Sequence, residues 1–328
     1  RTIGSKSMAS NRFIGGFWLI FGVALAGLPA ARPACGAPPP EVFSLVTRDG
    51  VQLRLTYYPS AQRKGTPEAK QVTPVLLLHD HKETRASFNS LALQLQGTGD
   101  AQLKLPSFAA VSVDLRAHGE STRQELPNGA QVDLDAAKLN KQGLLAMTGY
   151  DMEALRSFLV EKNDEGELNL NKLCIVGAGM GANVGVNWAL HDWTSPPLAI
   201  GKQGQDVKAL VLISPKWSYN GLSFQAPMKF GPLKKNLAWL LLFGAQDAKV
   251  KSDVERIQKQ LERFHPQEEA GQRSSKLQVV GWPSKLQGGT LLSQVGQPID
   301  QKIVDFLREH VAKVQQPWTN RLDRVPQR

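Results

Sequence analysis

Cysteine is almost missing from this chain: Cys35 and Cys174 are the only two in 328 residues. A disulfide framework is therefore unsupported, and no cysteine or histidine cluster has the spacing of a metal site. Lysine and arginine outnumber the acids by 39 to 29, yet they are dispersed and not interleaved with aromatics. That pattern argues against nucleic acid as a partner. No internal repeat is present.

Long apolar runs are scarce outside residues 13–31, which follow Lys6 and Arg12, with Met8 as a plausible start. A basic stretch, an apolar stretch and then small residues read as a secretory signal over residues 1–37, with cleavage between 26 and 37. The expected location is exported: periplasm, cell envelope or outside the cell. Left uncleaved, the same run nearly reaches spanning length and would anchor the chain in a membrane. Arg32-Pro33-Ala34-Cys35 lacks the leucine of a lipidation site. Without residues 1–37, which hold four basic residues and no acid, the net charge falls from +10 to +6. Residues 38–314 are expected to form one domain, and residues 315–328 a flexible basic tail.

The most telling absence is a single hydroxyl. Residues 174–183, Cys-Ile-Val-Gly-Ala-Gly-Met-Gly-Ala-Asn, read as a strand, a glycine-punctuated turn and a helix. This is the outline of the G-x-S-x-G turn that thrusts a nucleophilic serine into an active site, but the central residue is Gly179. A dinucleotide-binding turn is the rival reading. It needs a third glycine where Ala182 stands and an acid about twenty residues on, whereas Asp192 comes too early. No cofactor is expected.

Around the turn, short apolar runs at residues 74–80, 108–115, 207–215, 237–247 and 276–282 read as buried parallel strands. Helical patterns at 86–96, 147–161, 182–191, 252–264 and 298–314 separate them. Strands alternating with helices predict a mostly parallel sheet covered on both faces. Two alternating runs, 41–47 and 51–58, meet at Arg48-Asp49-Gly50 and predict an antiparallel hairpin at one edge. Residues 59–73 and 265–275 read as loops.

Taken together, these segments resemble the α/β-hydrolase fold family over residues 41–314. Leu77-Leu78-His79-Asp80 stands where the family has its oxyanion loop. Asp114-Leu115-Arg116-Ala117-His118-Gly119-Glu120-Ser121 is similar to its D-L-R-G-H-G-x-S segment, with Ala117 for one glycine. Leu242-Phe243-Gly244-Ala245-Gln246-Asp247 matches the turn that carries the triad acid. About twenty residues, 216–236, separate the sixth and seventh strands. That is too few for a large lid domain, and it points to compact dienelactone-hydrolase-like or serine-aminopeptidase-like members.

The resemblance implies a triad that this chain does not complete. Asp247 retains the acid, Gly179 replaces the nucleophile, and Gln287 falls at the histidine position. Glycine offers no nucleophilic atom and glutamine no base near neutral pH. Losing a triad's working members costs on the order of a million-fold. The backbone N–H of Met180 survives as one oxyanion donor, but Asp80 replaces a glycine in the other loop, where a carboxylate would repel a developing oxyanion.

Other candidates carry less. Cys174 lies about 16 Å along the strand from Gly179 and reads as core. Ser121 and His118 belong to a structural stretch. Asp80 and Asp247 are expected about 14 Å apart, on strands three positions apart. His265 and His310 are expected to be solvated, His79 to be core, and His81 to face a ligand. The expected function is an exported, catalytically inactive hydrolase-fold protein that binds an unidentified small molecule or protein in its cleft, through Asp80, His81 and Met180. The alternative is an ester or peptide hydrolase with a non-standard nucleophile.

Overall fold

The computed structural model describes residues 36–99, 105–196, 198, 201–265 and 275–321. Nearly all of the predicted signal or anchor segment lies outside the described residues.

Eight strands form one sheet: Glu41–Val46 (β1), Gln52–Tyr58 (β2), Pro74–Leu78 (β3), Ala109–Asp114 (β4), Leu173–Ala178 (β5), Val207–Ile213 (β6), Ala238–Gly244 (β7) and Leu277–Trp282 (β8). Their spatial order is β1-β2-β4-β3-β5-β6-β7-β8. β1 pairs antiparallel with β2, and β2 with β4. From β4 to β8 every pairing is parallel. The short runs of valine, leucine and isoleucine are explained by this arrangement: β3, β4, β5 and β7 are buried at every residue because both faces are covered.

The main helices are Asn89–Gln96 (α1), Met152–Asp164 (α2), Met180–Thr194 (α3), Ala248–Leu261 (α4), Gly288–Val295 (α5) and Gln297–Leu307 (α6). One face of the sheet packs on Leu155, Phe158, Trp188, Val254 and Ile257 from α2, α3 and α4. The other packs on Leu91, Leu95, Leu291, Ile299 and Ile303 from α1, α5 and α6. The fold is the predicted three-layer α/β arrangement. Between β6 and β7 lie only a two-residue hairpin, Ser218–Tyr219 with Leu222–Ser223, and two short helices, Gln225–Lys229 and Gly231–Asn236. No large lid is built there.

Three elements depart from the sequence reading. The helix expected over 182–191 starts at Met180, directly on the glycine turn. The segment around Gly288 is a helix, although two adjacent glycines argue locally against one. The reading of residues 315–328 as a flexible tail is corrected for 315–321, while 322–328 lie outside the described residues. Asn171 Nδ2 donates to the Pro317 carbonyl at 2.7 Å, and Trp318 Nε1 to the Leu168 carbonyl at 3.2 Å. Lys70 Nζ lies 4.1 Å above the Trp318 ring. Arg321 is buried and ion-paired with the buried Asp206. Buried amides and a buried carboxylate needed partners, and this segment supplies them.

Candidate active site

Asp80, His81, Gly179, Met180, Asp247 and Gln287 sit just beyond the carboxyl ends of parallel strands. β5 ends at Ala178, and Gly179 turns the chain into α3 with φ 46° and ψ −106°. Few L residues adopt such a conformation; glycine does so without a Cβ clash. Met180 is the first residue of the helix, so its N–H is one of the donors that the helix cannot satisfy itself. Gly179, the N-cap, has no side chain with which to satisfy it.

The missing acceptor comes from a hundred residues away. Asp80, just beyond β3, places Oδ1 2.8 Å from the Met180 nitrogen and 2.7 Å from the His81 nitrogen. The resemblance makes the Met180 N–H one of the donors an oxyanion would use. A Cβ built on Gly179 would land on the Asp80 carboxylate, and so would one built on Gly288 at the start of α5. The carboxylate therefore fills the space that side chains at 179 and 288 would need, and it holds the Met180 and His81 N–H groups. The positive end of the fifteen-residue α3 favours the negative charge there. Where the resemblance implies repulsion of an oxyanion, the Asp80 carboxylate itself accepts the Met180 and His81 N–H groups.

Gln287, the residue expected at the histidine position, is held by hydrogen bonds to its neighbours. Its Oε1 accepts from Ser214 Oγ at 2.6 Å and from the Gly244 nitrogen at 3.1 Å, while Nε2 donates to the Gly244 carbonyl at 2.8 Å. Ser214 Oγ in turn accepts from the Gly288 nitrogen at 2.9 Å. Gln287 therefore ties together the ends of β6 and β7 and the start of α5. Ser214 is held at φ 52°, and Lys82 and Ala117 at the same sheet edge also have positive φ. Backbone strain of this kind collects at sites that a fold holds in a fixed geometry. Asp247 caps α4, with Oδ1 accepting from the Lys249 and Val250 nitrogens at 3.0 Å each.

Asp80 and Asp247 stand on strands three positions apart, as expected, yet both line one cavity of about 220 Å³ together with Ser214, Lys216, Lys249 and Gln287. Sequence reasoning missed Ser214, Lys216 and Lys249. It also missed Glu83, half-buried beside Asp80. Burial and the neighbouring Asp80 charge raise the Glu83 carboxyl above its usual range. One signal was present: the glycine at 179 and the carboxylate at 80, each a departure from the pattern that the resemblance implies, are complementary in one volume.

The remaining candidates are structural. His79 is buried, its Nδ1 2.7 Å from the Asp80 carbonyl, while its Nε2 accepts from the Leu115 nitrogen at 3.0 Å. Burial pushes its pKa down to about 4. Ser121 Oγ donates to the Asp114 carbonyl at 2.6 Å, and His118 Nδ1 lies 2.9 Å from the Arg116 carbonyl. Cys174 is buried in the core, and burial pushes its thiol pKa up. His265 is buried, contrary to the solvated placement expected for it, with Nε2 2.6 Å from the Lys234 carbonyl. His310 is also drawn in, its ring centroid 4.7 Å from that of Phe306. Among the described residues, no serine or cysteine side chain hydrogen-bonds the rings of His79, His81 or His118. Among the described residues no group of three or more metal-ligating side chains comes together.

No family model matches the chain, and no curated protein matches it. Solved structures do. An esterase of Pyrobaculum calidifontis superposes with a TM-score of 0.53 at 14% identity, over 84% of this chain and 87% of its own. A candidate α/β hydrolase of Agrobacterium tumefaciens gives 0.51 at 16%, over 85% and 100%. The protein DcsB, solved with its substrate analogue, gives 0.54 at 14%, over 84% and 100%. At these identities the likeness establishes the fold: the chain has an α/β-hydrolase fold.

Proposed function

We propose that this α/β-hydrolase fold has given up serine hydrolysis and serves, outside the cytoplasm, as a binding module built on the cleft. One observation carries the reading: the Asp80 carboxylate accepts the Met180 and His81 N–H groups in the space that a Gly179 side chain would need. Acyl transfer requires a nucleophile, a base and open oxyanion donors. Here the first has no atom, the second is an amide tied to Gly244, and the third are occupied by an internal anion. The cavity beside them keeps both signs of charge, with Asp80, Asp247, Lys216 and Lys249 around it. Such a lining suits a small polar ligand. A hydrolase with another nucleophile finds no support in the histidines at this edge, none of which meets a serine or thiol.

The test is turnover of short-chain aryl esters by the wild-type chain and by Asp247→Ala. We expect both to be indistinguishable from buffer. Hydrolysis abolished by Asp247→Ala would overturn the reading.

A further inference from the structure

The cavity of about 220 Å³ at the strand ends is lined by charges of both signs that do not pair with each other. Asp80, Asp247 and Asp253 supply three carboxylates, and Lys216 and Lys249 two ammonium groups. Among the described residues neither lysine forms an ion pair or a hydrogen bond through Nζ. Lys216 Nζ lies over the Tyr219 ring, 5.1 Å from its centroid. Lysines elsewhere on the surface behave differently: Lys64, Lys251 and Lys313 each pair with a nearby glutamate.

The backbone keeps these charges apart. Asp80 Oδ1 accepts from the Met180 and His81 nitrogens, and Asp247 Oδ1 from those of Lys249 and Val250. Both carboxylates are thereby fixed at helix starts and cannot swing out to meet a lysine, yet each keeps its Oδ2. Lys249 stands in the first turn of α4, where the helix dipole disfavours a cation, so its place there has no intrahelical explanation. Gln287, Ser214, Gly244 and Gly288 are hydrogen-bonded to one another beside these groups, which holds the lining in a preformed geometry. A simple anion in this cavity would face fixed carboxylates, and a simple cation would face both lysines. A ligand carrying both signs avoids either repulsion. Three carboxylates against two ammonium groups leave one negative charge in excess, which a zwitterion with one further cationic group balances. The volume is below the roughly 300–1,000 Å³ of sites for drug-sized ligands and suits a molecule the size of an amino acid.

We propose that this cavity takes a free α-amino acid with a cationic side chain, its carboxylate at Lys216 and Lys249 and its two cationic groups at Asp80, Asp247 and Asp253. The inference rests on the reading of the cleft as a binding module. The two fail separately: ester turnover abolished by Asp247→Ala would overturn that reading, whereas an inert chain that ignores such an amino acid would overturn this inference alone.

The test is calorimetric titration of the chain with L-lysine, with cadaverine, which is lysine without its carboxylate, and with Nα-acetyl-L-lysine, whose α-ammonium is masked. The chains compared are the wild type, Lys216→Ala with Lys249→Ala, Asp253→Asn and, as a surface control, Lys313→Ala. We expect one saturable site for L-lysine on the wild type, with cadaverine and the acetylated form each weaker by about tenfold or more. The double lysine variant should lose about tenfold for L-lysine while binding cadaverine no more weakly than the wild type does. That opposite response separates a lost carboxylate contact from general damage to the cavity. Asp253→Asn should weaken L-lysine, and Lys313→Ala should leave it unchanged. Lys249 is exposed and Lys216 half-buried, so their removal leaves the core intact. L-Lysine should also raise the melting temperature of the wild type in proportion to its binding. No saturable binding of L-lysine, equal binding of L-lysine and cadaverine, or equal binding of L-lysine by the wild type and the double lysine variant would each overturn the proposal.

Discussion

At residue 179 the chain has no side chain, and that of Asp80 takes the space. Gly179 leaves room, and Asp80 fills it with a carboxylate that the Met180 and His81 N–H groups hold. Gly179→Ala should therefore cost more than backbone strain alone, which is about 1–3 kcal/mol at a sparsely allowed conformation. The new Cβ must also expel Asp80 and leave two donors to water. In an Asp80→Gly background only the strain should remain. Urea melts of the four chains of the cycle should then show a coupling of about 1 kcal/mol or more. Equal costs of Gly179→Ala in both backgrounds would place the carboxylate elsewhere.

His79 supports a second expectation at this scale. Its pKa is depressed by burial, to about 4 against 6.5 for a free ring. The folded state thus favours the neutral ring. The associated stability is fully present above pH 6.5 and is lost as pH falls toward 4, about 3 kcal/mol in all. The ring resonances of His79 should remain untitrated down to pH 5, and a midpoint near 6.5 would contradict its burial.

Among the elements, the strands were the most legible because burial on both faces writes itself as unbroken apolar runs. β3, β5 and β7 are examples. The hairpin of β1 and β2 was legible for a different reason: Arg48-Asp49-Gly50 supplies the turn, with Gly50 at φ 86°. The helix at Gly288–Val295 was not, since its packing on the sheet through Leu291 and Leu292 overrides two glycines. At the site, sequence pattern singled out Gly179, Asp247 and Gln287 individually but gave no hydrogen-bond partners for them. Partners such as Ser214 for Gln287, and Asp80 for Met180, are 73 and 100 residues apart. Periodicity holds no information on contacts of that kind.

Residues 315–321 illustrate the same limit, since their polar composition conceals a docking role. Asp206 is buried among Arg156, Arg321 and Lys202. Removing one partner of such a cluster leaves an under-compensated buried charge. Arg321→Ala should lower stability by about 3 kcal/mol, measured by denaturant unfolding. A change within about 0.5 kcal/mol would mean that this segment is not held as described.

For the whole molecule, the sheet and its two helical layers are those of an α/β-hydrolase fold, and the proposal that its cleft no longer hydrolyses esters is tested at this scale. The most direct measurement is aryl-ester turnover by two repaired chains. Gly179→Ser with Gln287→His restores the nucleophile and base but leaves Asp80 in their space. Adding Asp80→Gly clears both the serine's volume and the oxyanion donors. The double variant should be nearly inert, and the triple variant should turn over ester detectably faster. A double variant as active as the triple would contradict the claim that the Asp80 carboxylate closes this site.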